Sequence, residues 1–175
     1  MILLIDGRSG SGKSDLASAL VDDWPEAQLV RLDDLYPGWG GLEEGSRHVR
    51  DEVLARDAPR WRRWHWLASR PAEWNELDPA RPIIIEGAGA LSRSNRAFAD
   101  YALWVELDEP TRKARALARD GETYAPHWDE WAAQESDFIA RERPRELADA
   151  IVDGRDVALA AARWRAIIDP ARVGE

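Results

Sequence analysis

Only two lysines, Lys13 and Lys113, stand among the 24 basic residues of this 175-residue chain. Lys13 falls inside Gly7-Arg8-Ser9-Gly10-Ser11-Gly12-Lys13-Ser14, which matches G-x-x-x-x-G-K-S/T in full. The chemistry of such a run is capture of a polyphosphate. Backbone N–H groups from Gly7, Ser9, Gly10, Ser11 and Gly12 would curl around phosphate oxygens, because glycines keep Cβ atoms out of the way. A helix starting at Ser14 would add the positive end of its dipole. Lys13 would reach the outer phosphates of ATP, and the Ser14 hydroxyl would ligate Mg²⁺. The alternative is a plain Gly/Ser turn; the complete match, with a scarce lysine where the motif demands one, argues against it.

Three further groups suit phosphoryl transfer. Arg31-Leu32-Asp33-Asp34-Leu35-Tyr36 sets two carboxylates and a phenol after an apolar stretch. Asp33 could orient an acceptor hydroxyl and take its proton, with Asp34 beside it as a substrate contact, or either acid could simply cap a helix or sit in a loop. Ile83-Ile84-Ile85-Glu86 ends a buried strand in an acid, where a carboxylate would support Mg²⁺ or its waters. Arg112, Arg115 and Arg119 lie at i, i+3 and i+7, on one helix face. That stripe reads either as a solvated face or as a lid closing on phosphates, Arg112 and Arg115 binding the nucleotide and Arg115 and Arg119 acting in catalysis. Trp39, in the loop after Tyr36, is the leading aromatic candidate for substrate contact. Trp61, Trp64, Trp66 and Trp74 could stack on a nucleobase or fill the core. Arg60, Arg62 and Arg63 could bind a phosphate already on the acceptor, or lie on the surface. His48, His65 and His127 have no metal-ligand spacing.

The elements that must hold these residues alternate. Strands are expected at Ile2–Ile5, Gln28–Leu32, Pro82–Glu86, Ala102–Leu107 and Ala150–Asp153. Helices are expected over Ser14–Trp24, over Ser46 to about Arg70 with a break near Pro59, over Pro110–Asp120 ending at Gly121, and over Trp128–Glu142 and Asp156–Ile168. The alternation implies an α/β fold with a parallel sheet and helices on both faces. Residues 1–175 then form one domain, with 37–80 as the acceptor region and 110–145 as the lid region. The chain has no cysteine, which excludes disulfides, thiolate metal sites and a cysteine nucleophile. A net charge of −9 argues against binding a nucleic-acid backbone. The apolar start, Met1–Ile5, is too short for a signal or a membrane span, so no membrane partner and a cytoplasmic location are expected. No Asn-Lys-x-Asp guanine motif and no L-S-G-G-Q signature occur, which turns the reading away from GTPases and transport ATPases.

With these residues in hand, the chain resembles the uridine kinase/phosphoribulokinase-like group of P-loop kinases. The resemblance rests on Gly7–Ser14, on Asp33-Asp34-Leu35-Tyr36 (the family's Asp-x-Phe-Tyr, with Leu35 in place of Phe), on Ile83–Gly87, and on Arg112 through Asp120. It implies a three-layer P-loop fold with sheet order 2-3-1-4-5 and an Arg-rich helical lid. It also implies ATP with Mg²⁺ as donor, a small-molecule hydroxyl as acceptor, Asp33 as base and Tyr36 as substrate contact. A nucleoside is the expected acceptor. A nucleoside monophosphate, sugar or vitamin kinase, or a non-catalytic ATP-binding regulator, are the alternatives.

Overall fold

The computed structural model describes residues 1–168; the stretch 169–175 of the expected single domain lies outside the described residues. β1 (Ile2–Asp6) leads through the Gly/Ser-rich turn into α1 (Lys13–Asp22). β2 (Gln28–Arg31) runs into a 3-10 turn at Leu32–Asp34, and α2 (Leu42–His48) continues as a π-helical turn over Val49–Val53. Next come β3 (Arg60–His65), β4 (Arg70–Glu76), β5 (Ile83–Glu86), α3 (Arg93–Arg96) and β6 (Tyr101–Glu106). α4 (Glu109–Tyr124), α5 (Trp128–Glu142), α6 (Pro144–Leu147), β7 (Ala150–Asp153) and α7 (Val157–Ile168) complete the described fold.

Five strands pair in parallel in the order β2-β5-β1-β6-β7, which is 2-3-1-4-5 when the sheet's own strands are counted along the chain. Side chains alternate across a strand, so unbroken apolar runs supply both faces. Leu3, Ile5, Ile84, Leu103 and Val105 face α1 and α7, where Leu16, Leu20 and Trp164 meet them. Leu4, Ile83, Ile85 and Ala102 face the other layer, with Trp131 and Phe138 of α5. Each fully buried Leu or Ile contributes about 1.5–3 kcal/mol, and this packing, rather than any polar contact, sets the platform. Register then aligns the strand ends: Arg31 sits opposite Glu86, and Ile5, just before Asp6, sits opposite Glu86 on the other side. The acids that close β1 and β5 are thereby brought to one edge, where parallel sheets present ligand sites. No helix among the described residues is long and apolar enough to cross a membrane.

One expectation fails. The helix anticipated as far as Arg70 ends at Val53, and β3 and β4 form an antiparallel hairpin. Arg60, Trp61 and Arg62 alternate as a strand should, but the register shifts between Arg62 and Trp64. That bulge breaks the period of two and disguises the strand. Trp61 and Trp66 pack the hairpin onto the core, whereas Trp74 lies out on its surface with the Arg60 guanidinium 4.1 Å from its ring. In α4 the regular turn does break at the expected Gly121 (φ 53°, ψ −133°), and helical turns then resume to Tyr124.

Candidate active site

The phosphate loop is built between the end of β1 and the start of α1. Asp6 anchors it from below: its carboxylate accepts from Gly7 N at 2.6 Å, from Leu91 N at 2.8 Å and from Gly89 N at 3.2 Å. Burial pushes this carboxyl up to about 6, against the opposing pull of those N–H donors and of Lys13. Gly10 has φ 77°, and a Cβ there would sit 2.1 Å from the carbonyl oxygen of Arg112. Only glycine lets the loop pass that close to α4. Lys13 is 8% exposed and donates from Nζ to Arg8 O at 3.2 Å, so its ammonium arches across the loop.

A cavity of about 520 Å³ opens above the loop. Ser9, Gly10, Gly12, Lys13 and Ser14 form its floor, and Asp33 and Glu86 rise from the ends of β2 and β5. Arg115 and Arg119 reach in from α4, while Tyr36, Trp39, Trp66, Tyr124 and Trp131 supply aromatic walls. Glu86 is almost fully buried, and burial raises its carboxyl above the usual range while Lys13 and Arg31 draw it back. Arg31 Nε stands 3.8 Å from Glu86 Oε1. Trp39 stacks within 10° of parallel on both His127 (4.3 Å) and Tyr124 (5.4 Å), and Trp66 leans on it at 4.9 Å. The Trp66 indole is fixed in turn by donating to Asp33 O at 2.9 Å.

Several expected residues sit elsewhere. Gly7 and Ser11 shape the loop without lining the cavity: Gly7 N donates to Asp6, Ser11 N to Arg8 O, and the Ser11 Oγ is buried under the loop. Ser9 does line the cavity, but its N–H is taken by Glu135 Oε1 and not left for a phosphate. Arg112 is buried behind the loop, donating to Ser9 O at 3.0 Å and Leu107 O at 3.2 Å, so it braces the cradle instead of facing a ligand. Arg115 does face the cavity while donating to Gly154 O, and Arg119 lines it while paired with Asp120. Asp34 lies outside the cavity lining, and burial followed by the Asp33 charge raises its carboxyl. Tyr36 lines the wall with its ring only, because its hydroxyl donates to Ala88 O at 2.6 Å and burial keeps that phenol protonated. Arg60 pairs with Glu52 and Arg62 donates to Ala72 O on the exposed side of the hairpin, while the half-buried Arg63 pairs with Glu73 close enough to Asp34 to feel its charge; none of the three lines the cavity. His48 accepts from Arg62 N and His65 from Ala68 N, and no group of three acidic or histidine side chains among the described residues could cage a metal.

The residues present suit ATP and Mg²⁺. Gly10 lets the loop run against α4 where a Cβ would strike Arg112 O, and the Lys13 ammonium arches across the loop beside the cavity. The Ser14 hydroxyl lies beside the Glu86 carboxylate, a sparse set of hard oxygen donors of the kind Mg²⁺ shares with phosphates and water.

The sequence alone does not single out Asp6, Tyr124, Trp131 or Glu135, whose carboxylate holds Ser9 N and Arg8. Asp6 carried the same signal as Glu86, an acid closing an apolar strand. Glu135 carried none, since its partners Arg8 and Ser9 lie more than 120 residues away in the chain.

By sequence the chain matches no family model and no curated protein. By structure it is similar to a possible uridine kinase from Bacillus stearothermophilus, with a TM-score of 0.61 and 18% identity, over 87% of this chain and 88% of that one. It is also similar to the shikimate kinases of Acinetobacter baumannii (TM-score 0.55, 16% identity, 98% of this chain and 94% of that one) and Bacteroides thetaiotaomicron (0.54, 12%, 97% and 98%). The chain has the P-loop kinase fold.

Proposed function

We propose that the protein is a kinase that moves the γ-phosphoryl group of ATP to a hydroxyl of an uncharged small molecule, foremost a nucleoside. The observation that carries this reading is one cavity lined at once by Lys13 and Ser14, by the Asp33 carboxylate and by a set of aromatic rings. Lys13 and the loop amides other than those of Gly7, Ser9 and Ser11, which already donate within the protein, bind the donor phosphates. Mg²⁺, held by Ser14 and supported by Glu86, would neutralise charge between them. Asp33 accepts the proton of the acceptor hydroxyl as its oxygen bonds to phosphorus, the bond from phosphorus to the bridging oxygen breaks, and ADP leaves. Arg115 and Arg119 offset negative charge on the group in flight.

The arginine distribution favours a nucleoside over a nucleotide. A second phosphate, on the acceptor, would need its own cationic partners. The acceptor region 37–80 gives the cavity two indoles, Trp39 and Trp66, and no arginine: Arg60 and Arg63 pair with Glu52 and Glu73, and Arg62 with Ala72 O. Flat, uncharged rings stack on such walls.

The test is ADP release with Mg-ATP across parallel panels of nucleosides and their monophosphates, with product identified by mass. Nucleosides are expected to be phosphorylated and monophosphates not. Asp33→Asn is expected to lower turnover by about 10²- to 10⁴-fold while ATP affinity stays within about threefold. Exclusive turnover of monophosphates would overturn the acceptor assignment, and undiminished turnover in Asp33→Asn would overturn the role of that carboxylate.

A further inference from the structure

Ser9 stands at the crest of the phosphate loop, and side chains from outside the loop hold its backbone on both sides. Its N–H donates to Glu135 Oε1 at 2.7 Å, and its carbonyl accepts from Arg112 at 3.0 Å. The neighbouring Arg8 donates from Nε to Glu135 Oε2 at 3.0 Å, and from Nη2 to Ala132 O and Ser136 Oγ. Glu135 is 2% exposed. A carboxylate so deeply placed is tolerated only because both oxygens are matched by donors, and removing either partner is heavily penalised.

The adjoining residue of α5 holds the other half of the cavity. Gln134 donates from Nε2 to Trp39 O at 2.7 Å and accepts at Oε1 from Leu42 N at 3.4 Å. Successive helix residues point about 100° apart, so one rigid turn of α5 reaches the phosphate loop with one side chain and the acceptor loop with the next. Trp131, one turn earlier, meets Tyr36 edge-on at 4.8 Å between ring centres. The two loops do not depend on each other through the sheet alone.

We propose that Gln134 and Glu135 form a strut coupling the donor and acceptor halves: Glu135 is a positioning residue for the phosphate loop, and Gln134 for the acceptor loop over 37–42. Phosphates seated in the loop hold the backbone that Ser9 N and the Arg8 guanidinium tie to Glu135, hence α5, hence the backbone of Trp39 and Leu42. Linkage makes the effect reciprocal, so donor and acceptor each favour the other's binding. The proposal rests on the ATP reading given above.

Hydrogen exchange of residues 37–45, with and without Mg²⁺ and a non-hydrolysable ATP analogue, tests it without needing the acceptor. In the wild-type protein the analogue is expected to slow exchange of this segment at least fivefold. In Gln134→Ala, whose melting temperature should stay within about 2 °C of wild type, the analogue should bind within twofold of wild-type affinity while the slowing drops below twofold. In Glu135→Ala affinity should fall about tenfold and the slowing should vanish even at saturation. Glu135→Gln keeps an oxygen for Ser9 N and should recover part of both. Slowing that survives in Gln134→Ala and Glu135→Ala overturns the strut, as does wild-type binding with no slowing at all. Absence of analogue binding to the wild type overturns the ATP reading, and the strut with it.

Discussion

Asp6 offers a quantitative check on how the phosphate loop is held. It is 2% exposed and accepts from three backbone N–H groups, yet burial still lifts its carboxyl from 3.8 to about 6. At roughly 1.4 kcal/mol for each pH unit, the folded protein resists ionising this group by about 3 kcal/mol. The sign follows from proton counting. Between pH 3.8 and 6 the folded state holds more proton than the unfolded chain, so this group lowers stability as pH rises, and the full penalty stands above pH 6. About half of it, near 1.5 kcal/mol, builds up between pH 5 and 7.5. Asp6→Asn removes the charge but turns an N–H₂ toward at least one of the three donors, so its absolute stability is a poor readout and its pH slope is a good one. Urea denaturation followed by tryptophan fluorescence at several pH values between 5 and 7.5 gives both slopes. Wild type should lose about 1.5 kcal/mol relative to Asp6→Asn across that range. Parallel curves, within about 0.3 kcal/mol, would mean that Asp6 ionises as a solvated acid and that its burial carries no electrostatic penalty.

Two substitutions probe the walls and the floor of the cavity. Tyr36→Phe keeps the ring against Trp131 but leaves the buried Ala88 carbonyl unpaired. It should destabilise by about 1–3 kcal/mol, a drop in melting temperature of about 2–8 °C by calorimetry. Gly10→Ala places a methyl 2.1 Å from Arg112 O at a φ of 77°, so the loop must shift, and titration with Mg-ATP should show affinity at least tenfold weaker.

How much of this is legible in the sequence depends on whether each signal is local. The cradle could be read because its glycines, lysine and serine are fixed by the loop's own geometry, within eight residues. The core strands could be read because Ile83-Ile84-Ile85 and Ile2–Ile5 are apolar on both faces, as a covered parallel sheet requires. The hairpin is hidden in the sequence because a bulge between Arg62 and Trp64 breaks the alternation that marks a strand. The arginine stripe of α4 was seen as one face, but Arg112 stands at the first turn, where the helix presses on the loop, and is drawn behind it to Ser9 O and Leu107 O. Glu135 was invisible for a different reason: its meaning lies wholly in partners that only the folded chain brings near.

Titration calorimetry of Mg-ATP against the wild-type protein and Lys13→Ala bears most directly on the whole account. Saturable one-site binding to the wild type, weakened at least tenfold by loss of the single ammonium over the loop, is the predicted outcome. A wild type that takes up no ATP, or a Lys13→Ala protein that binds it equally well, would contradict the assignment of this glycine-rich turn to a nucleotide's phosphates.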